Sequence, residues 1–305
     1  MTLTRTGFVR IPPGPKPGFD HADTYRAAAD GARMYVGHTG ADRVDVIDCA
    51  SRSWLRSLAG HPGVAGVLVD AAADLLFTSD RAADQVSVYR CSDETLLARI
   101  SVGAHPNGLA FDRNGGQLFS FNLGEPIGEN CTASVIGLAG QRVIATIDLP
   151  GRPRWAVWEQ ATNQVYANIR DPAKIVVIDP ASHQIARQIA VPADGPHGLW
   201  IDGEWLYCAA DGNALVILHR DTGEVRAVLP LPGTPDVVMH DQALRHLYVA
   251  VGDPGVIAVA DTSSPQIIEV VPTEAGAHTL GTDPDRHTVY AFLPGSGGAA
   301  VYEDR

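Results

Sequence analysis

Apolar residues fall along this chain in short runs rather than helical stripes. Segments such as RMYV, LLFT, QLFSF, VYANI and LYVAV are rich in Val, Ile, Leu, Tyr and Phe. Turn residues bound them, including Asp30-Gly31, Asn114-Gly115-Gly116 and Asp221-Thr222-Gly223. Short β-branched and aromatic runs between Gly, Asn and Asp predict antiparallel strands. No stretch keeps the apolar period of a long amphipathic helix.

The runs repeat as a unit. Asp23, Ala65, Asn107, Arg154, His197, Asp236 and His278 stand at matching points, with steps of 42, 42, 47, 43, 39 and 42 residues. Each copy carries four apolar runs, a pattern that predicts one four-stranded propeller blade per copy. The last copy ends after three runs, at AAVYEDR, while the N-terminal TRTGFVRIPPG resembles the fourth run of the others. A ring closed by its own N-terminal strand leaves no exposed sheet edge, whereas a solenoid would need polar caps. The expected fold class is therefore all-β. It is a single seven-bladed β-propeller over residues 1–305, four antiparallel strands per blade, with residues 7–12 as the clasp that completes the seventh blade.

Composition adds limits. The chain has 305 residues, 45% of them hydrophobic, with 31 Gly and 21 Pro to serve many turns. A net charge of −12 argues against nucleic acid and anionic membrane surfaces, which are bound mainly through Lys and Arg. The first residues hold no apolar leader core, and no run is long enough to span a bilayer. The expectation is a cytoplasmic protein as given, or a periplasmic or secreted one if a leader was removed. A monomer acting on a small-molecule substrate is expected. Cys49, Cys91, Cys131 and Cys208 show no CxxC spacing, and Cys49 and Cys91 sit one blade apart, so free thiols are expected.

The pieces RMYVGHTGADRVDVIDCA, HPNGLAFDRNGGQLFSFN, VYANIRDPAKIVVIDP and LYVAVGDPGVIAVAD resemble the YVTN-repeat (YncE-like) β-propellers over essentially the whole chain. The resemblance implies the propeller fold. It implies no single activity, because that family shares none. The seven-bladed lactonase-type propellers are similar in repeat style, but their catalytic residues do not map one by one onto this chain.

Strand alternation puts the junctions between blades and the loops between second and third strands on one end. Those loops carry His38, Asp80, Asn122, Asn168, Asp211 and Asp253. The junctions add His21, His61, His105, Arg152 and Glu274 to the recurring set. Imidazole and carboxylate together suit borderline divalent metals. His21, Asp23, His38, His197 and His278 are the expected ligands of a Zn, Mn, Ni or Ca ion. Glu274 and Asp236 are the expected bases, and Arg154 a stabiliser of developing negative charge. Arg154, Asn107, His105 and Trp155 are the expected substrate contacts. The insertion LGEPIGENCTA, with Glu125 and Glu129, would lie over the mouth as a partial lid. His61, Asp80, Asn122, Asp211, His183, His219, His240, His246 and His287 are read as structural.

Two function classes follow. One is a metal-dependent hydrolase of a small ester, lactone or phosphoester, with a metal-assisted lyase as its variant. The other is a non-catalytic propeller that binds a protein or small ligand.

Overall fold

The computed structural model describes residues 3–27 and 31–305. Met1, Thr2 and part of the expected Asp30-Gly31 turn lie outside the described residues. The strands form seven separate four-stranded sheets, each hydrogen-bonded in a simple up-and-down order. We call the strands of each blade a to d, from the axis outward. The a strands are Ala22–Ala27, Val64–Asp70, Pro106–Asp112, Pro153–Glu159, Pro196–Asp202, Thr234–Asp241 and Thr279–Asp283. Each contacts the next around the ring, and the last contacts the first.

The clasp is longer than expected and begins earlier. Leu3–Arg10 pairs antiparallel with Gly298–Asp304, from Leu3 opposite Asp304 to Arg10 opposite Gly298. Residues 11 and 12 have left the strand, since Pro12 and Pro13 lack the N–H a ladder needs. Leu3 and Val9 are buried beneath the sheet.

One aromatic holds each blade to the next. Tyr35, Phe77, Phe119, Tyr166, Tyr207, Tyr248 and Tyr290 occupy the same place in their b strands, and each is essentially inaccessible. Each belongs to a different apolar cluster built from two consecutive blades. Tyr35 packs with Tyr89 and Cys91 of the second blade, and Phe119 with Val165 and Val176 of the fourth. Tyr290 packs with Met34 and Ile47 of the first blade, which closes the circle. Several hydroxyls donate across the same seam: Tyr290 to the Cys49 carbonyl at 3.3 Å, and Tyr248 to Asp304 Oδ2 at 2.6 Å.

The residue after each aromatic pairs with strand a, and this fixes the true register. Val36, Thr78, Ser120, Ala167, Cys208, Val249 and Ala291 pair with Ala22, Val67, Leu109, Ala156, Leu199, Val238 and Leu280. Two residues before these stand Asp20, Ala65, Asn107, Arg154, His197, Asp236 and His278. The recurring residue of the first blade is therefore Asp20, and Asp23 lies three residues further along the strand.

The following position explains the recurring glycine. A Cβ at Gly66, Gly108 or Gly198 would meet the backbone oxygen of Asn107, Arg154 or Asp236 at 2.2–2.3 Å. Glycine lets each blade's a strand touch the next one's backbone. The first and fourth blades carry His21 and Trp155 there. These two rings stack at 4.0 Å between centroids across the tunnel.

All four cysteines are free and buried. Burial pushes the Cys49 and Cys208 thiols up to about 12, so they pack as neutral apolar groups.

Two changes test this arrangement. Gly198→Ala forces a methyl against the Asp236 carbonyl and is expected to lower unfolding free energy by about 1–3 kcal/mol. Deleting residues 1–10 exposes the Gly298–Asp304 edge and is expected to lower the thermal midpoint by roughly 10 °C or more. Denaturant and thermal unfolding measure both; changes indistinguishable from the parent would contradict the packing described.

Candidate functional site

Two rings of side chains surround one tunnel mouth, here called the top. The first is the register ring of Asp20, Ala65, Asn107, Arg154, His197, Asp236 and His278. The second comes from the turns between strands b and c, four residues after each aromatic, where Thr39, Arg81, Leu123, Arg170, Asp211, Gly252 and Pro294 stand. Backbone bonds seam the two together: Arg170 N to Arg152 O, Asp211 N to Gly195 O and Leu123 N to His105 O. The expectation that junctions and b–c loops share one end therefore holds.

The charges are unevenly paired. Arg81 Nη2 bonds Asp20 Oδ2 at 3.2 Å and also the Asn107 side-chain oxygen. Arg170 Nε bonds Asp211 Oδ2 at 2.7 Å. His197 lies between two carboxylates, Nδ1 at 3.0 Å from Asp211 and Nε2 at 3.1 Å from Asp236. Both ring nitrogens thus face acceptors. Burial works to raise the Asp211 carboxyl, but hydrogen bonds from His197 and Arg170 bring it below its usual range. Asp20 is likewise brought below its range despite burial, by His21, Arg81 and His278. His21 is shifted downward by its own burial, against the pull of Asp20 and Asp236.

Arg152 and Arg154 differ from these. Neither forms an ion pair or side-chain hydrogen bond among the described residues, and the buried Nε of each has no partner. The Nε of Arg81 is also buried without one. Burial, and then the neighbouring Arg152, push Arg154 down to about 10. Arg152 is shifted down by burial, with Arg170 and Arg81 adding repulsion. Unpartnered buried guanidinium groups are costly, and they cluster here on one side of one mouth.

The expected metal ligands do not converge. His38 is buried outside the ring, its Nδ1 2.7 Å from Asp45 and its face against Phe19 at 4.4 Å. The segment through Pro12, Gly14 and Pro17 covers it. Asp23 accepts backbone N–H bonds from Thr24 and Val69, both at 2.7 Å, and faces the tunnel below the top mouth. His197 is occupied by its two carboxylates. His278 donates Nδ1–H to the Gly276 carbonyl at 2.8 Å. Among the described residues no group of three or more His, Cys, Asp or Glu could hold a metal ion. The donor set does not fit a metal.

The expected bases are also engaged. Glu274 accepts from Gly295 N at 2.5 Å, Ser296 N at 3.1 Å and the Ser296 hydroxyl, so it shapes the turn of the seventh blade. Asp236 Oδ1 lies 3.1 Å from His197 Nε2. His105 reaches the Gly124 carbonyl at 3.2 Å and shapes the base of the insertion. Glu125 on that insertion is exposed and 3.4 Å from His105. Trp155 lies in the tunnel, stacked on His21, and closes off an apolar cavity of about 250 Å³ beneath. Of the expected substrate contacts, Arg154 and Asn107 keep their position on the mouth, as do His197, Asp236 and His278 of the register ring.

Sequence reading passed over Asp20, Arg81 and Arg170. It also took Asp211 as structural, although Asp211 joins Arg170 to His197. Of the other structural histidines, His61 bonds Asp80 at 2.9 Å and Tyr89 at 2.9 Å, His183 bonds Gln117 at 2.8 Å, and His246 bonds Asp304 at 2.7 Å. His287 bonds Asp241 at 2.7 Å. His240 is the exception, with an unpartnered Nε2.

Desolvation raises Asp23 to about 6, against the bonds from Val69 and Thr24. The folded protein holds this proton more tightly than the unfolded chain. Its favourable contribution is therefore complete below about pH 4 and is lost as pH rises through 6. Carboxyl carbon NMR is expected to give a midpoint near 6 for Asp23; a midpoint at or below 4 would contradict its burial.

No protein-family model matches the chain, and no curated protein matches it in sequence. The YVTN-repeat likeness is thus a resemblance of repeat style. Among the described residues no helix is long and apolar enough to cross a membrane. The fold is similar to a solved chain of Kuenenia stuttgartiensis hydrazine synthase, with a TM-score of 0.80 and 17% identity over 94% of this chain and 96% of that one. At that identity the likeness establishes the seven-bladed β-propeller fold alone.

Proposed function

We propose that this propeller binds a small anion at its top mouth, a molecule bearing a carboxylate or phosphate group. Arg152 and Arg154 supply the cationic wall. Asn107, held by Arg81, and the Asp211–His197–Asp236 bridge form the remaining rim. The observation that carries the reading is the pair of partly buried guanidinium groups with no carboxylate within ion-pair distance among the described residues. An arginine in this state lacks the hydrogen bonds that would offset its desolvation, and a carboxylate or phosphate supplies them bidentately. Low local dielectric strengthens such a contact.

Binding is favoured over hydrolysis or elimination at the same place. A catalytic base needs a free proton acceptor within reach of substrate. Glu274 is taken up by protein partners, His197 Nδ1 is hydrogen-bonded to Asp211, and its Nε2 lies 3.1 Å from Asp236. The metal reading is set aside because its donors are dispersed.

Calorimetric titration with a panel of small mono- and dicarboxylates and phosphoesters tests the proposal. Saturable binding is expected, weakened about tenfold or more in Arg154→Met and Arg152→Met. Without ligand, Arg154→Met is expected to be more stable than the parent by about 0.5–2 kcal/mol, because an unpaired cation has been removed. No binding to any panel member, or binding by both variants as tight as the parent's, would overturn the reading.

A further inference from the structure

The opposite end of the tunnel carries a second site of inverse charge. A vestibule of about 780 Å³ opens there, lined by Asp23, Glu159, Asp202, Asp241 and Asp285 among others. Its one arginine, Arg26, is exposed and paired with Asp285 at 3.2 Å. Glu159 accepts from Ala161 N, and Asp241 is filled by Ala243 N, Leu244 N and His287. Asp202 makes no hydrogen bond among the described residues. Beside it stands His240, 6% exposed, with a buried Nε2 that has no partner. Burial lowers the His240 imidazole from its usual range, so its neutral form can accept a hydrogen bond.

The Nε2 of His240 and Oδ2 of Asp202 are 4.0 Å apart. A donor nitrogen about 2.9 Å from each would see them at about 90°, an angle open to an ammonium but not to two bonds of one linear N–H. Trp200 flanks the same point, its ring 6.0 Å from that of His240. Aromatic faces favour cations. Trp200 and Met239 line both this vestibule and the 250 Å³ apolar cavity below the His21–Trp155 stack, so the two spaces adjoin.

We infer that the lower mouth binds a small primary ammonium with an apolar tail, its head between Asp202 and His240 and its tail along Trp200 and Met239 into the tunnel. A divalent cation is a poorer occupant, because no three-ligand group forms here among the described residues. The site shares no residue with the arginines of the top mouth.

Calorimetric titration of the whole protein with methylamine, butylamine and hexylamine, and with hexanol as neutral control, tests this. Affinity should rise about two- to fourfold per added methylene, as the tail is buried. Hexylamine should bind at least tenfold better than hexanol. Asp202→Asn should abolish that preference, and His240→Phe should weaken amine binding about tenfold, with both variants keeping parental β-sheet circular dichroism. Arg154→Met should bind hexylamine as the parent does, which separates this site from the anion site. Amine affinity equal to hexanol, no saturation up to about 10 mM, or an undiminished Asp202→Asn response would each overturn the inference.

Discussion

Everything in this molecule depends on one contact repeated around the ring: an aromatic side chain of strand b driven into the apolar face of the next blade. A single four-stranded sheet has two faces to cover and too little of its own to cover them. Tyr35, Phe77, Phe119, Tyr166, Tyr207, Tyr248 and Tyr290 each bring two sheets onto one shared core. Because Tyr290 packs on the first blade, no face is left over. The N-terminal strand does the same for the last edge, by hydrogen bonding rather than packing.

That ring also dictates what happens at the axis. With the aromatics fixing blade spacing, the a strands are pressed together until Gly66, Gly108 and Gly198 touch the neighbouring backbone. Residues just before these glycines can only project into the top mouth. The fold thereby gathers side chains distant in sequence into one polar circle, and excludes enough water to make each unpaired charge count. Where His21 and Trp155 replace glycine, their rings cross the axis and divide the tunnel into a charged upper mouth and an apolar lower cavity. Arg152, Arg154 and Arg170 lie above this division, whereas Asp23, Asp202 and Asp241 lie below it. The tunnel is thus polarised along its length, cationic on one side of the top and acidic at the bottom.

Much of this was legible in the chain. The strand period, the four runs per copy and the incomplete last copy define a closed propeller, because a period of apolar runs reports local structure directly. The site was less legible, for three physical reasons. First, the first junction offers Asp20, His21 and Asp23 within four residues and lacks the Pro-x-Gly punctuation, so spacing alone selected Asp23. Second, Arg81 and Arg170 sit in tight turns that read as surface punctuation; only the b-strand aromatic fixes their phase. Third, residue type does not reveal partners. Glu274 and Asp236 have the chemistry of bases, but each is consumed by a neighbour that only folding brings close. His38 is the same case, committed to Asp45. The residues that matter most are those left without a partner, and no pattern of letters shows that.

The direct test is a crystal structure of the protein grown with selenate, located by anomalous scattering from selenium. The account predicts one strong peak at the top mouth, within hydrogen-bond distance of the Arg152 and Arg154 guanidinium groups, with their Nε atoms donating. Guanidinium groups paired instead with the protein's own carboxylates, and no selenium between them, would contradict it.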